Sequence, residues 1–154
     1  MELLRICIDT DRWIEKEHGS IAQIFAEHGE EYFRDLETKL AKRLSTIDRL
    51  VIAVGGGLVL RGENVTLLQK KGKLVYLRAK KETLLSRLQG DCSRPLLQGD
   101  SLSARLDALL AERSALYETV ADFIVDVDEK TPAEIAGEII REFQVERETF
   151  SKKE

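Results

Sequence analysis

A chain of 154 residues, 43% apolar and 34% charged with a net charge of −4, fits one soluble globular domain, and its acidity argues against a nucleic-acid binder, which would need a basic face. No run of 18 apolar residues occurs, which excludes a helical membrane span. The opening residues lack the basic and apolar regions of a secretory leader. Cys7 and Cys92 share no CxxC spacing, so both read as free thiols in a reducing, cytoplasmic compartment. His18 and His28 have no metal-ligand spacing with any cysteine and are expected in solvent.

The first predicted strand, residues 4–8, runs straight into Asp9-Thr10-Asp11. Two carboxylates one residue apart at a strand end can hold a metal-bound water or accept hydrogen bonds from substrate hydroxyls. Alternatively, Asp11 is the N-cap of a helix beginning near Arg12. Ser20-Ile-Ala-Gln23 matches a capping box, Ile21, Ile24 and Phe25 line one face of the helix it opens, and Gly29 stops that helix. A longer helix follows over residues 30–44, with Phe33, Leu36, Leu40 and Leu44 at helical spacing. Arg34 adjoins this stripe. It either pairs with Glu30 or Glu37 or grips a carboxylate with its planar fork. The apolar run 50–54 is a strand that ends in Gly55-Gly56-Gly57. Three glycines either let the backbone approach a ligand and present its N–H groups, or form a flexible turn.

A short helix over 64–69 is broken by Gly72, and residues 74–77 form a third strand. Helix 80–89 carries Leu84, Leu85 and Leu88. The stretch 91–100, with Arg94-Pro95 inside it, breaks all periodicity and reads as a loop able to act as a lid. Residues 101–119, including Arg113, are strongly helical, and 122–127 is the last strand. Thr131-Pro132-Ala-Glu134 opens the last helix with an N-cap, a first-turn proline and a capping-box glutamate. Ile135, Ile139, Ile140 and Phe143 mark its buried face. The domain is expected over 1–144, followed by a frayed, charged tail over 145–154. Strands alternating with helices, with nearly continuous apolar runs, predict an α/β fold: a parallel sheet between helix layers. Ligands of such sheets bind beyond the carboxyl ends of the strands, where Asp9, Asp11 and the three glycines fall. Arg34, Arg94 and Arg113 suggest an anionic ligand if they converge, which periodicity alone does not show.

These pieces together resemble the shikimate kinase family. Asp9-Thr10-Asp11, Glu31-Tyr-Phe-Arg34 with Glu37, Gly55-Gly56-Gly57, Arg94-Pro95-Leu96-Leu97, Glu112-Arg113-Ser-Ala-Leu-Tyr117 and Val125-Asp-Val-Asp128 before Thr131-Pro132 occur in the family's order. The resemblance implies a P-loop-kinase-like sheet of the nucleoside monophosphate kinase type, with helices on both faces, and transfer of phosphate from ATP to shikimate in chorismate and aromatic amino-acid biosynthesis. It implies that Asp11 hydrogen-bonds the acceptor hydroxyls and that Arg34 and Arg113 bind the substrate carboxylate. Gly55, Gly56 and Gly57 would lie against the substrate, Gly56 and Gly57 packing on its ring. Asp9 would act on Mg2+ through water, Arg94 would neutralise the transferring phosphoryl group, and Arg87 and Pro132 would sandwich the adenine. It further implies a monomer.

One departure from the family pattern is large. A strand, a G-x-x-x-x-G-K-[ST] loop and a helix are expected ahead of Asp-Thr-Asp, with that strand central in the sheet, between 50–54 and 74–77. These 154 residues contain no such motif, since Gly72-Lys73 is followed by Leu74 and position 67 is leucine. Backbone N–H groups and the lysine of that loop cradle the phosphates, and transfer is almost entirely positioning and charge stabilisation. Two readings follow. One is a kinase chain that has lost its phosphate-binding unit and is inactive alone. The other is a non-catalytic relative that binds a shikimate-like hydroxy acid or a partner protein. In either, strands 50–54 and 74–77 must pair directly or stay unpaired, with strand-edge association possible.

Overall fold

The structure, a computed structural model, describes residues 6–89 and 100–151. They divide into two compact units, Met1–Lys73 and Leu74–Glu154.

In the first unit, β1 (Ile6–Asp9) leads directly into α1 (Thr10–His18), and α2 spans Ile21–Leu44. The Asp9 side chain caps α1 by accepting from the Arg12 amide, and Ser20 caps α2 by accepting from the Gln23 amide. Gly29, at φ 82° and ψ 176°, breaks α2 into the two helices expected from the sequence, because few residues other than glycine take that conformation. β2 (Leu50–Ala53) pairs with β1 in parallel, with Ile6 opposite Leu50 and Asp9 opposite Ala53. A 3-10 turn (Leu58–Leu60) and α3 (Gly62–Gln69) follow the glycines. Ile8, Ile14, Ile24, Phe33, Leu36, Leu40 and Leu44 form the core, with Trp13, Ile21, Leu50 and Ile52 packed on it. The helical spacing of the α2 members turns one stripe of that helix onto the sheet. On the outside, Arg43 binds both oxygens of Glu17 at 2.9 and 3.0 Å and ties α2 to α1.

In the second unit, β3 (Val75–Arg78) pairs in parallel with β4 (Phe123–Asp126), Val75 opposite Phe123. α4 (Lys81–Gln89), α5 (Asp100–Val120) and α6 (Pro132–Ser151) complete it. Tyr76 meets Tyr117 of α5, and Phe123 meets Phe143 of α6 edge to face, each pair of rings 5.3 Å apart. Asp128 joins the end of β4 to the start of α4 by accepting from the Lys80 amide at 2.9 Å and the Thr83 hydroxyl at 2.6 Å.

The parallel α/β organisation matches the sequence reading, with strand ends shifted by about a residue. Residues 4 and 5 of the first expected strand, Arg94 with most of the loop 91–100, and Cys92 lie outside the described residues. Cys7 is a free, exposed thiol, and both histidines are exposed. Three points differ. The cap of α1 is Asp9 and not Asp11, because the helix starts at Thr10 and Asp11 falls inside its first turn. The last helix runs on to Ser151 through the segment expected to fray, since 145–151 contains no glycine or proline to stop it. Strand burial is less complete than the apolar runs suggest: Ile6, Val51 and Leu77 stay about half exposed or more, at 67, 49 and 50%. Among the described residues the strands pair two by two, β1 with β2 and β3 with β4, so each two-stranded sheet leaves one edge of each strand without a described partner strand.

Candidate active site

The carboxyl ends of β1 and β2 lie side by side, so the Asp-Thr-Asp segment and the glycine turn meet. Thr10, only 1% exposed, links them. Its hydroxyl donates to the Ala53 carbonyl and accepts from the Gly55 amide, each at 3.4 Å. The sequence reading gave Thr10 no role, because its partners lie 43 and 45 residues away.

This junction places Asp11 against the turn. A Cβ on Gly55 would sit 2.9 Å from Asp11 Oδ1, so only glycine lets the carboxylate pack there. A Cβ on Gly57 would overlap the Arg34 guanidinium in the same way. Asp11, Arg34, Gly55 and Gly57 are therefore brought together by the fold of the first unit.

Arg34 does not choose between its two candidate glutamates. Nη1 donates to Glu37 Oε2 at 2.8 Å and Nη2 to Glu30 Oε1 at 2.7 Å, with the guanidinium carbon 5.6 Å from the centre of the Phe33 ring. The side chain is 12% exposed and Glu37 only 1%. A buried charge needs a partner, and each supplies the other's. Burial lowers the pKa of Arg34, but the hydrogen bonds and charges of Glu37 and Glu30 outweigh it and hold the guanidinium above its ordinary value. Burial also dominates at Glu37 and pushes its carboxyl up. Arg34 pulls it back in part, while the negative charge of Asp11 adds to the rise. The result is a cation fixed in orientation beside a carboxylate and a turn of bare backbone, an arrangement that can hold a small acid bearing hydroxyls.

Arg61 is a site neighbour that the sequence reading missed. It donates to Asp35, Thr38 and Glu31 of α2, none of which local spacing connects to it. The remaining expected residues belong to the second unit. Arg87 is exposed in the last turn of α4, and Pro132 is exposed as the first residue of α6. Arg113 on α5 is partly buried; among the described residues its buried Nε has no hydrogen-bond partner, and Glu112 Oε1 stands 3.9 Å away.

Comparison with known proteins gives one consistent answer. The family described as "Shikimate kinase" matches residues 2–144. The chain is 43% identical over 138 residues to the shikimate kinase of Thermodesulfovibrio yellowstonii, covering 89% of this chain and 79% of that protein. It is 42% identical over 137 residues to the shikimate kinase of Caldanaerobacter subterraneus subsp. tengcongensis, covering 88% and 80%. Among solved structures, shikimate kinase from Acinetobacter baumannii in complex with shikimate superposes with a TM-score of 0.84 at 33% identity, covering 92% of this chain and 80% of that one. Shikimate kinase from Aquifex aeolicus gives 0.76 at 34% identity, covering 91% and 82%. With nearly the whole chain matched in sequence and in fold, this protein belongs to the shikimate kinase family.

Proposed function

We propose that the chain provides the acceptor side of an ATP:shikimate 3-phosphotransferase of chorismate biosynthesis. The observation that carries this reading is the packing of a doubly paired Arg34 on Gly57, with Asp11 against Gly55. Arg34 grips the shikimate carboxylate by charge-assisted hydrogen bonds, a role that the family resemblance gives to Arg113 as well. Gly56 and Gly57 give the ring a close approach to the backbone. Asp11 accepts from the acceptor hydroxyls and orients the 3-hydroxyl for attack on the terminal phosphorus of ATP, taking up its proton as the β–γ bridging bond breaks. Arg94 offsets charge on the phosphoryl group in transit, and Arg87 and Pro132 hold the adenine between them.

Magnesium fits the donor set in one way only. Among the described residues no three His, Cys, Asp or Glu side chains come together as a cage. Mg2+ characteristically keeps several waters and takes one or two carboxylates besides the substrate phosphates. Asp9, exposed and with Oδ1 committed to the Arg12 amide, suits such a water-mediated contact. The bound ion would supply charge for the phosphates.

The reading includes a cytoplasmic location, with a monomer as the form the family resemblance implies and strand-edge association as this chain's departure from it. No helix among the described residues is long and apolar enough to cross a membrane. Calorimetric titration with shikimate tests the acceptor-site reading. Saturable binding is expected, and absence of binding overturns the assignment of Arg34 and Asp11.

A further inference from the structure

The turn that carries Gly57 is tied to α2 by the Arg61 side chain. Arg61 Nη1 donates to Asp35 Oδ1 at 2.7 Å and to Thr38 Oγ1 at 3.3 Å, and Nη2 donates to Glu31 Oε2 at 2.7 Å. Positions 31, 35 and 38 are spaced along one face of the helix. Thr38 in turn donates to the Arg34 carbonyl at 3.0 Å, so the strap ends on the backbone of the residue that Gly57 packs against.

The other end of the strap has little slack. Between Gly57 and Arg61 the chain is a 3-10 turn, closed by the Leu60 amide on the Gly57 carbonyl and the Leu58 amide on the Gly55 carbonyl, both at 3.1 Å. The buried Asn64 side chain donates to the Leu58 carbonyl at 2.8 Å, and the Asn64 amide to the Arg61 carbonyl at 3.0 Å. The Arg61 charge also acts on Glu37, the buried partner of Arg34.

We infer that Arg61 is a positioning residue for the acceptor site: by bridging the glycine turn to Glu31, Asp35 and Thr38 it keeps the Gly57 backbone seated on the Arg34 guanidinium. The inference rests on the reading of Arg34 as the group that grips the substrate carboxylate. The bland alternative is a surface ion-pair cluster. The Glu31 side chain is 90% exposed and that of Asp35 59%, and pairs of this kind contribute little to stability. The two roles therefore separate: a strap alters ligand affinity and leaves the melting temperature nearly unchanged, whereas a surface pair alters neither.

The experiment is calorimetric titration of the full 154-residue chain with shikimate, with circular dichroism melting as the control. Arg61→Met, which keeps the apolar stem, is expected to weaken binding on the order of tenfold, the modest end of what a misplaced binding group costs. Arg61→Lys is expected to recover part of the affinity, because an ammonium keeps the charge but cannot span three acceptors as a fork does. Asp35→Asn combined with Thr38→Val cuts the same strap from the α2 side and should weaken binding without touching Arg61, which covers the case of an Arg61 variant that fails to fold. Unchanged affinity in Arg61→Met or in the α2 pair overturns the inference. Failure of the unaltered chain to bind shikimate overturns instead the acceptor-site reading on which it rests.

Discussion

At the scale of single residues the buried Arg34–Glu37 pair sets the charge of the candidate site. Arg34→Ala is expected to weaken shikimate binding by about 1.5–3 kcal/mol, the range for a hydrogen bond to a charged group; calorimetry that finds no loss would leave Arg34 as a partner of Glu30 and Glu37 alone. Glu37 carries a pH signature. Its carboxyl is raised above the ordinary 4.5 chiefly by burial, so the folded state holds the proton more tightly than the unfolded chain. Its contribution to stability is fully present below 4.5 and is lost as pH rises through the folded value. Glu37→Gln cannot titrate. Wild type is therefore expected to lose stability relative to this variant as urea unfolding is followed upward from pH 4.5. A difference that stays flat with pH would contradict the assignment.

Among elements, the two sheets respond to acid and to cavities for different reasons. In the β3–β4 pair, Arg78 grips Asp126 through Nε at 2.6 Å and Nη2 at 3.0 Å, which holds the Asp126 carboxyl below its ordinary range. The Thr83 hydroxyl and the Lys80 amide do the same for Asp128. A depressed carboxyl contributes stability that is present above its ordinary 3.8 and lost as pH falls through the folded value. Amide protection at Val127 and Lys80, corrected for intrinsic exchange, should drop below that pH, and more steeply than in the Arg78→Met variant, which starts without the Asp126 pair. In the first unit the comparable weakness is apolar. Leu36, 3% exposed in the core between α2 and β1, is expected to cost about 2–5 kcal/mol of stability when replaced by alanine, read from denaturant melts.

For the whole molecule, the pairing of strands is the controlling fact. Two-stranded sheets are marginal in water, and an edge strand offers a row of backbone donors and acceptors to any other chain. Among the described residues each strand has four residues and is paired along one edge, with Val51 and Leu77 half exposed. Light scattering is expected to show a mass that rises with protein concentration and to show less of it in Val51→Lys, since a charge on an edge strand opposes pairing. A constant monomer mass at all concentrations would show that these edges are protected.

Taken alone, the sequence determined whatever depends on neighbours a few residues apart. The Ser20 cap, the break at Gly29, the stripe from Phe33 to Leu44 and the alternation of strand and helix are local or periodic signals, and all are present in the fold. The motif order was likewise enough to indicate the family. Tertiary structure decided what depends on distant partners and on exact phase. Whether Asp9 or Asp11 caps α1 turned on a helix start two residues earlier than the sequence suggested, and the answer leaves Asp11 against Gly55. The sequence offered Glu30 or Glu37 to Arg34, and the geometry uses both, because positions three and four away lie on the same helical face. Thr10 and Arg61 were silent in the sequence because their partners lie 23 to 45 residues away, and only the packing of the glycine turn onto α1 and α2 closes that distance.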